Sequence, residues 1–99
     1  MTGEIDNIYI QENFTMQSVG TYLKNSREAK NISLSDISHH TKISKWYLNC
    51  LEKDDFANLP GDPYTKGYIS SYAMFIGIDQ NEAINKYNYS NCQWVKTST

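Results

Sequence analysis

The residues in this sequence that are most able to do chemistry are histidines, cysteines, tyrosines and lysines, and their spacing favours binding over catalysis. His39 and His40 are adjacent but have no second pair of ligands at metal-binding spacing, so we interpret them as surface or helix-capping histidines. Cys50 and Cys92 lack metal or redox spacing and suit a reducing cytosol. The sequence contains no nucleophile–base–orienter set, Gly-rich phosphate loop or paired-carboxylate cleft. We therefore expect neither an enzyme nor a bound metal or cofactor.

Two stripes of apolar and aromatic residues run along the segment that begins at Pro63. At about 100° per residue, one stripe faces the domain core and comprises Ile69, Tyr72, Ala73 and Ile76. A second stripe, centred roughly 130° away by the same periodicity, comprises Tyr64, Tyr68, Ser71 and Phe75. A surface helix needs one apolar stripe, so the second one indicates a further contact.

The N-terminal half of the second stripe is the predicted protein-binding site, formed by Tyr64, Lys66 and Tyr68. Charged residues beside the two tyrosines indicate nearby solvent, and protein interfaces favour tyrosine for its broad ring and polar tip. In the alternative interpretation this helix is buried on two sides. That alternative stays open for Phe75, which is left out of the predicted site. Gly67 costs about 1 kcal/mol of helix propensity relative to Ala, and the close approach of another backbone, from a neighbouring helix or a partner, would account for it.

A second candidate site, for DNA, lies in a turn and on the outward face of the helix that follows it. Asparagine can read adenine, and lysine can reach guanine or phosphate. The candidate residues are Lys42, Ser44, Lys45, Trp46, Tyr47 and Asn49. Against this hypothesis, Trp46 and Tyr47 are bulky enough to obstruct docking in the groove, and acidic residues follow the helix. In the alternative interpretation the two aromatics cover the edge of the core and the lysines are solvated.

The charge balance also weakens the DNA hypothesis. Between Ser18 and Tyr87 the basic and acidic residues number eight each, so the folded part is neutral. DNA-binding domains usually owe most of their non-specific affinity to a basic face. Only a local basic patch is compatible with this balance.

Five short helices are predicted to position these residues. Start and stop signals place the first helix over about 18–30 and the second from Ser33 to near Thr41. The third begins at Ser44, the fourth runs from Asp62 as cap to Gly77, and the fifth runs from Asp79 through Tyr87. The second and third have helix-turn-helix proportions, with a generic helical bundle as the alternative. The predicted fold is an all-α, five-helix, phage-repressor-like helix-turn-helix domain over residues 18–87.

The flanking segments are expected to be a flexible arm over residues 1–17 and a polar linker or tail over residues 88–99. No stretch approaches the roughly 18 to 20 apolar residues needed to cross a bilayer. Met1–Asn7 has no basic region followed by an apolar run, so an ordinary secretory signal is not expected. These observations predict a cytoplasmic location.

Three runs of the sequence resemble known families. Ser26–Leu34 followed by Lys42–Ser44 looks like the start of the broad phage-repressor-type helix-turn-helix family. Tyr47–Gly61 resembles a narrower branch, the cytoplasmic domain of the bacterial cell-shape protein RodZ. Tyr64–Ala73 is similar to that branch's signature, aromatic-x-basic-Gly-aromatic-Ile-x-x-Tyr-Ala. The likeness covers Ser18–Tyr87, and its signature in the fourth helix is more specific than the helix-turn-helix alone.

The resemblance implies a cytoplasmic adaptor that binds the actin-like filament protein MreB. In the family, the filament contacts use the two aromatics of the fourth helix, which correspond here to Tyr64 and Tyr68. Lys66 keeps the basic position of the signature, whereas an Arg common there is Ser70 here, so charge complementarity with the filament stays open. A transmembrane helix and a periplasmic domain follow in the family. This sequence contains neither, so attachment to a membrane would come only through a segment outside it.

Overall fold

The computed structural model describes residues 17–98, with side chains described for residues 17–89. Within that range it contains five α-helices, one short 3-10 helix and no strand. The elements are α1 (Val19–Ala29), α2 (Leu34–Thr41), α3 (Lys45–Glu52), the 3-10 helix (Phe56–Asn58), α4 (Asp62–Ile76) and α5 (Gln80–Ser98). The predicted all-α, helix-turn-helix architecture is confirmed.

Serine and aspartate caps set the starts of four helices. The hydroxyls of Ser18, Ser33 and Ser44 each accept a hydrogen bond from the backbone amide three residues on, at 3.0–3.2 Å. Asp79 Oδ1 accepts hydrogen bonds from the backbone amides of Asn81 and Glu82 at the start of α5, the shorter at 2.8 Å. Such caps satisfy amides that have no partner inside the helix. At the other end of α4, Gly77 takes the left-handed conformation (φ 81°) that stops the helix, as predicted.

The prediction that Asp62 caps α4 is wrong. Asp62 is itself the first residue of the helix, and the preceding Gly61 (φ 144°) offers no side chain. The Asp62 carboxylate instead accepts a hydrogen bond from the hydroxyl of Tyr87 at 2.6 Å and lies 3.5 Å from Lys66 Nζ. These partners hold the pKa of Asp62 below its ordinary value, the Tyr87 hydrogen bond being the larger cause. The carboxylate therefore ties the start of α4 to α5.

The segment expected to be a polar linker or tail over residues 88–99 continues α5, which runs to Ser98. The residues from Gln80 to Ser98 include no glycine or proline to end a helix. Polarity alone does not stop a helix that is already nucleated. The predicted arm lies outside the described residues except for Gln17.

The core lies where α4 crosses the other helices. Tyr72, Ile69 and Ala73 on α4 are fully buried, as the first stripe predicted. The other buried apolar residues are Val19, Leu23, Ile37, Ile43, Leu48, Cys50, Leu51, Leu59, Ile76, Ala83 and Tyr87. All five helices contribute buried residues to this single core.

A buried polar network joins α1, α3 and α4 inside this core. Arg27 donates to the Glu52 carboxylate through Nε at 2.7 Å and through Nη2 at 3.1 Å, and the Tyr72 hydroxyl donates to the same carboxylate. Arg27 also donates to the carbonyl of Ile32 at 2.9 Å. Among the described residues, every buried side-chain nitrogen or oxygen has a hydrogen-bond partner. The network therefore has no uncompensated charge.

Candidate protein-interaction surface

Tyr64 and Lys66 lie in the first turns of α4, on the outside of the domain. The side chain of Tyr64 is 62% exposed, which is unusual for a large aromatic residue on a well-formed helix. Lys66 is partly exposed, and its ammonium forms the ion pair with Asp62 one turn earlier. The first predicted contact residue is thus free to meet a partner, while the predicted cation is already partly neutralised.

Tyr68 is half-buried because its ring stacks on that of Tyr47 from α3. The ring centroids lie 5.6 Å apart with an interplanar angle of 27°. Trp46 lies next to Tyr47, at 5.8 Å between ring centroids, and is 57% exposed. Tyr64 precedes Tyr68 by one helical turn and so shares its face. We call these four residues, Trp46, Tyr47, Tyr64 and Tyr68, the aromatic surface.

The aromatic surface spans both helices that the sequence offered as alternative sites. Sequence periodicity describes each helix separately, so it contained no signal that Tyr47 would contact Tyr68. The alternative interpretation, in which α3 aromatics cover the edge of the core, describes Tyr47 well. It does not describe Trp46, which points to solvent.

Gly67 lies between Tyr64 and Tyr68 on α4. A Cβ built on this residue would meet nothing within 4 Å among the described residues. Its backbone is helical and its φ is not positive, so the conformational freedom of glycine is not used. The sequence left two explanations for this glycine, the close approach of a neighbouring helix or of a partner. No helix among the described residues makes such an approach.

Phe75, whose role the sequence left open, packs on α2. Its ring lies 4.8 Å from that of His40, at an interplanar angle of 31°. It is half-buried against the core, so it is neither fully internal nor freely exposed. His40 Nδ1 lies 3.0 Å from the carbonyl of Asp36, as expected of a histidine near a helix end. The described residues include no cluster of histidine, cysteine and carboxylate side chains able to hold a metal ion.

The remaining DNA-site candidates are only partly available to a nucleic acid. Ser44 is occupied as the cap of α3, and Lys45 Nζ donates to Ser35 Oγ at 3.2 Å. Lys42 is exposed and ends α2 in the left-handed conformation, with φ 66°. Asn49 is half-buried in a shallow groove that Trp46 and Lys45 also line. The structure therefore gathers two exposed lysines beside one exposed tryptophan, a small basic patch at most.

Two of the acidic residues at the end of α3 make contacts within the domain. Glu52 is buried and paired with Arg27, and Asp54 Oδ1 accepts a hydrogen bond from the backbone amide of Gly20 at 2.9 Å. These contacts join residues 25 and 34 positions apart, which no local pattern indicates. The same contacts also remove Arg27 from any DNA-facing surface.

A family profile described as a helix-turn-helix domain matches residues 22–83, and this chain belongs to that family. Within it, the chain is a RodZ-like domain. It is 28% identical over 72 residues to the cytoskeleton protein RodZ of Streptococcus pneumoniae, a match that covers 73% of this chain and 26% of that protein. It is 34% identical over 56 residues to the membrane protein YmfM of Bacillus subtilis, covering 57% of this chain and 19% of that protein. The matched part is thus about a quarter or less of each of these relatives.

Two solved structures share the fold. One is YmfM of Staphylococcus aureus, described as a membrane protein and a candidate DNA binder, with a TM-score of 0.66 and 32% identity. The match covers 70% of this chain and 84% of that one. The other is the cell-shape protein RodZ from a structure of its assembly with the bacterial actin MreB, with a TM-score of 0.70 and 28% identity. That match covers 76% of this chain and 92% of the other. In the part of this chain that the structure describes, no helix combines the length and hydropathy needed to cross a membrane.

Proposed function

We propose that this chain is a cytoplasmic interaction domain that binds an MreB-type, actin-like filament protein through the start of α4. Tyr64, Lys66 and Tyr68 are the proposed contact residues. The observation that carries the proposal is the 62% exposure of Tyr64 in the first turn of α4, beside a second tyrosine held in place by a stack. The choice of partner is supported by the likeness to a RodZ domain whose structure was determined with MreB.

The arrangement is well suited to a protein partner. A tyrosine ring buries a large area on binding and is a frequent interface hot spot. Because Tyr68 is already held by Tyr47, little side-chain freedom is lost when a partner covers it. The Asp62–Lys66 pair lies at the edge of this surface, where charges contribute more to specificity than to affinity.

Co-sedimentation with polymerised MreB-type filaments tests the site. Truncating both tyrosines in a Tyr64→Ala/Tyr68→Ala variant is expected to weaken binding at least about 30-fold, which corresponds to the roughly 2 kcal/mol typical of a hot spot. Tyr89→Ala is the matched control, because Tyr89 is 50% exposed on α5 and outside the proposed surface. It should pellet with the filament as the parent domain does. If the double variant pellets equally well, these residues are not the binding site.

DNA binding through α3 is the second candidate function. The exposure of Lys42, Lys45 and Trp46 favours it, together with the description of YmfM from Staphylococcus aureus as a candidate DNA binder. Duplex binding measured over a salt series tests it, because phosphate contacts lose affinity steeply as salt rises. Binding at low salt that the Lys42→Ala/Lys45→Ala variant loses would support this function. No retention of any duplex at low salt would exclude it.

For the location, we propose the cytoplasm, with any membrane attachment supplied by a segment outside this sequence. The description of both YmfM relatives as membrane proteins supports such an attachment. Fractionation of the native protein, with protease protection of this domain in intact cells, tests both points. Cleavage of the domain by external protease would contradict the proposed location.

A further inference from the structure

We propose that Gly67 is the point at which the backbone of the filament subunit comes into van der Waals contact with α4. This inference rests on the proposed function and adds a positioning residue to its surface. It also states what kind of contact the partner makes there. A side chain at position 67 would hold the partner away from the flanking tyrosines.

Glycine at position 67 disfavours the helix, and no contact with another described residue requires it there. Gly67 lies near the middle of α4 (Asp62–Ile76) and has ordinary helical backbone geometry. Glycine in a helix interior is less favourable than alanine because it loses more backbone freedom on folding. Local stability therefore favours almost any other residue at this position.

Gly20, the second residue of α1, is the other glycine within a helix among the described residues. A Cβ on Gly20 would lie 2.5 Å from the Leu51 carbonyl oxygen and 2.7 Å from that of Glu52. Glycine is needed there because α1 and α3 cross backbone to backbone. Among the described residues, none occupies the corresponding space at Gly67. That space is open to the same kind of close crossing with a partner.

Gly67 lies within the proposed site, between its two tyrosines. Tyr64 lies one turn before it and Tyr68 immediately after it, so a backbone approaching Gly67 would lie beside both rings. Tyr64 is free to turn towards that backbone, since it is 62% exposed. Tyr68 is fixed by its stack on Tyr47. The filament subunit would fill this space, because the space is continuous with the surface proposed for it.

Two graded variants, Gly67→Ala and Gly67→Leu, test the inference by filament co-sedimentation and thermal unfolding. Both should raise the Tm, by about 4 to 8 °C for alanine, because they favour the helix. Filament binding should fall about tenfold for alanine and further for leucine, because added groups in a tight contact force the surfaces apart. Asn25→Ala on the exposed face of α1 is the control: it should favour its helix and leave filament binding unchanged.

Each outcome separates this inference from the proposed function. If both Gly67 variants bind as the parent does while Tyr64→Ala/Tyr68→Ala binds weakly, the Gly67 contact is rejected and the proposed function stands. If the double tyrosine variant also binds normally, both are rejected. A Gly67 variant that binds more tightly, or that unfolds at a lower temperature, would also overturn the inference, because each contradicts one of its steps.

Discussion

Residues of the same type have different structural roles in this domain. Glycine allows a backbone crossing at Gly20, whereas Gly67 faces no other described residue. Tyrosine is fully buried and hydrogen-bonded at Tyr72, stacked at Tyr68 and exposed at Tyr64. Residue type therefore sets what a side chain can do, while its neighbours decide which of those roles it takes.

Alanine substitutions at Gly20 and Gly67 are predicted to change the free energy of unfolding in opposite directions. Gly20→Ala should lower the free energy of unfolding by about 2 to 3 kcal/mol, because its Cβ would lie 2.5 Å from a backbone oxygen that cannot turn aside. Gly67→Ala should raise that free energy, since nothing opposes its methyl group. Urea unfolding of both variants at one pH measures the difference. A Gly20→Ala variant as stable as the parent would show that the α1–α3 crossing does not need glycine, and a destabilised Gly67→Ala variant would contradict the stabilisation expected there.

At the scale of helices, the start of α4 depends on a partner that the sequence did not indicate. The carboxylate of Asp62 was predicted to cap its own helix, yet it binds Tyr87 of α5. The 2.6 Å hydrogen bond fixes the beginning of α4, next to the proposed contact residues. The contact with α5 therefore helps to position the start of α4, which carries the proposed contact residues.

This tie predicts a pH dependence. The pKa of Asp62 is lowered in the folded domain, so the tie stabilises the fold above the ordinary carboxyl pKa of about 4 and is lost as the pH falls through the lowered value. Tyr87→Phe removes the main cause and should raise the Asp62 titration midpoint towards its ordinary value in an NMR titration. It should also make unfolding less dependent on pH below about 4.

The phenylalanine keeps the ring that lies 5.1 Å from Phe56, so packing is preserved in this variant. Tyr89→Phe on the exposed face of α5 is the control and should leave the midpoint where it is. An unchanged midpoint in Tyr87→Phe would mean that Lys66 alone sets the pKa of Asp62.

At the scale of the whole molecule, one polar network holds three helices in register. Arg27, Glu52 and Tyr72 come from α1, α3 and α4, and the side chains of Arg27 and Glu52 are 13% and 4% exposed. Burial and the Glu52 carboxylate raise the pKa of the Tyr72 hydroxyl, with burial the larger cause, so it acts as a donor throughout the physiological range. Removing one partner of such a network is costly, because it leaves the other charge buried and unpaired.

Removing different members of this network should have unequal effects. Arg27→Met leaves the Glu52 carboxylate buried without its cation and should cost about 3 to 5 kcal/mol. Tyr72→Phe removes one donor while the ion pair remains, and should cost about 1 to 3 kcal/mol. Urea unfolding of the two variants at neutral pH gives the comparison. A larger loss for Tyr72→Phe than for Arg27→Met would contradict the assignment of the ion pair as the main element.

Local signals in the sequence determined much of this protein. Ser33 and Ser44 cap helices as predicted, because a cap depends only on residues three positions away. The apolar stripe of α4 faces the core, since helical periodicity is a local property. The signature in Tyr64–Ala73 resembled the family to which the chain belongs.

Only the tertiary structure decided the contacts between distant residues. The Tyr47–Tyr68 stack, the Asp62–Tyr87 hydrogen bond and the Glu52 pair with Arg27 each join different helices. A single sequence has no periodicity that links such positions, because their distance depends on how the helices cross. For the same reason the sequence offered α3 and α4 as rival sites, whereas the fold places their aromatic side chains on one surface.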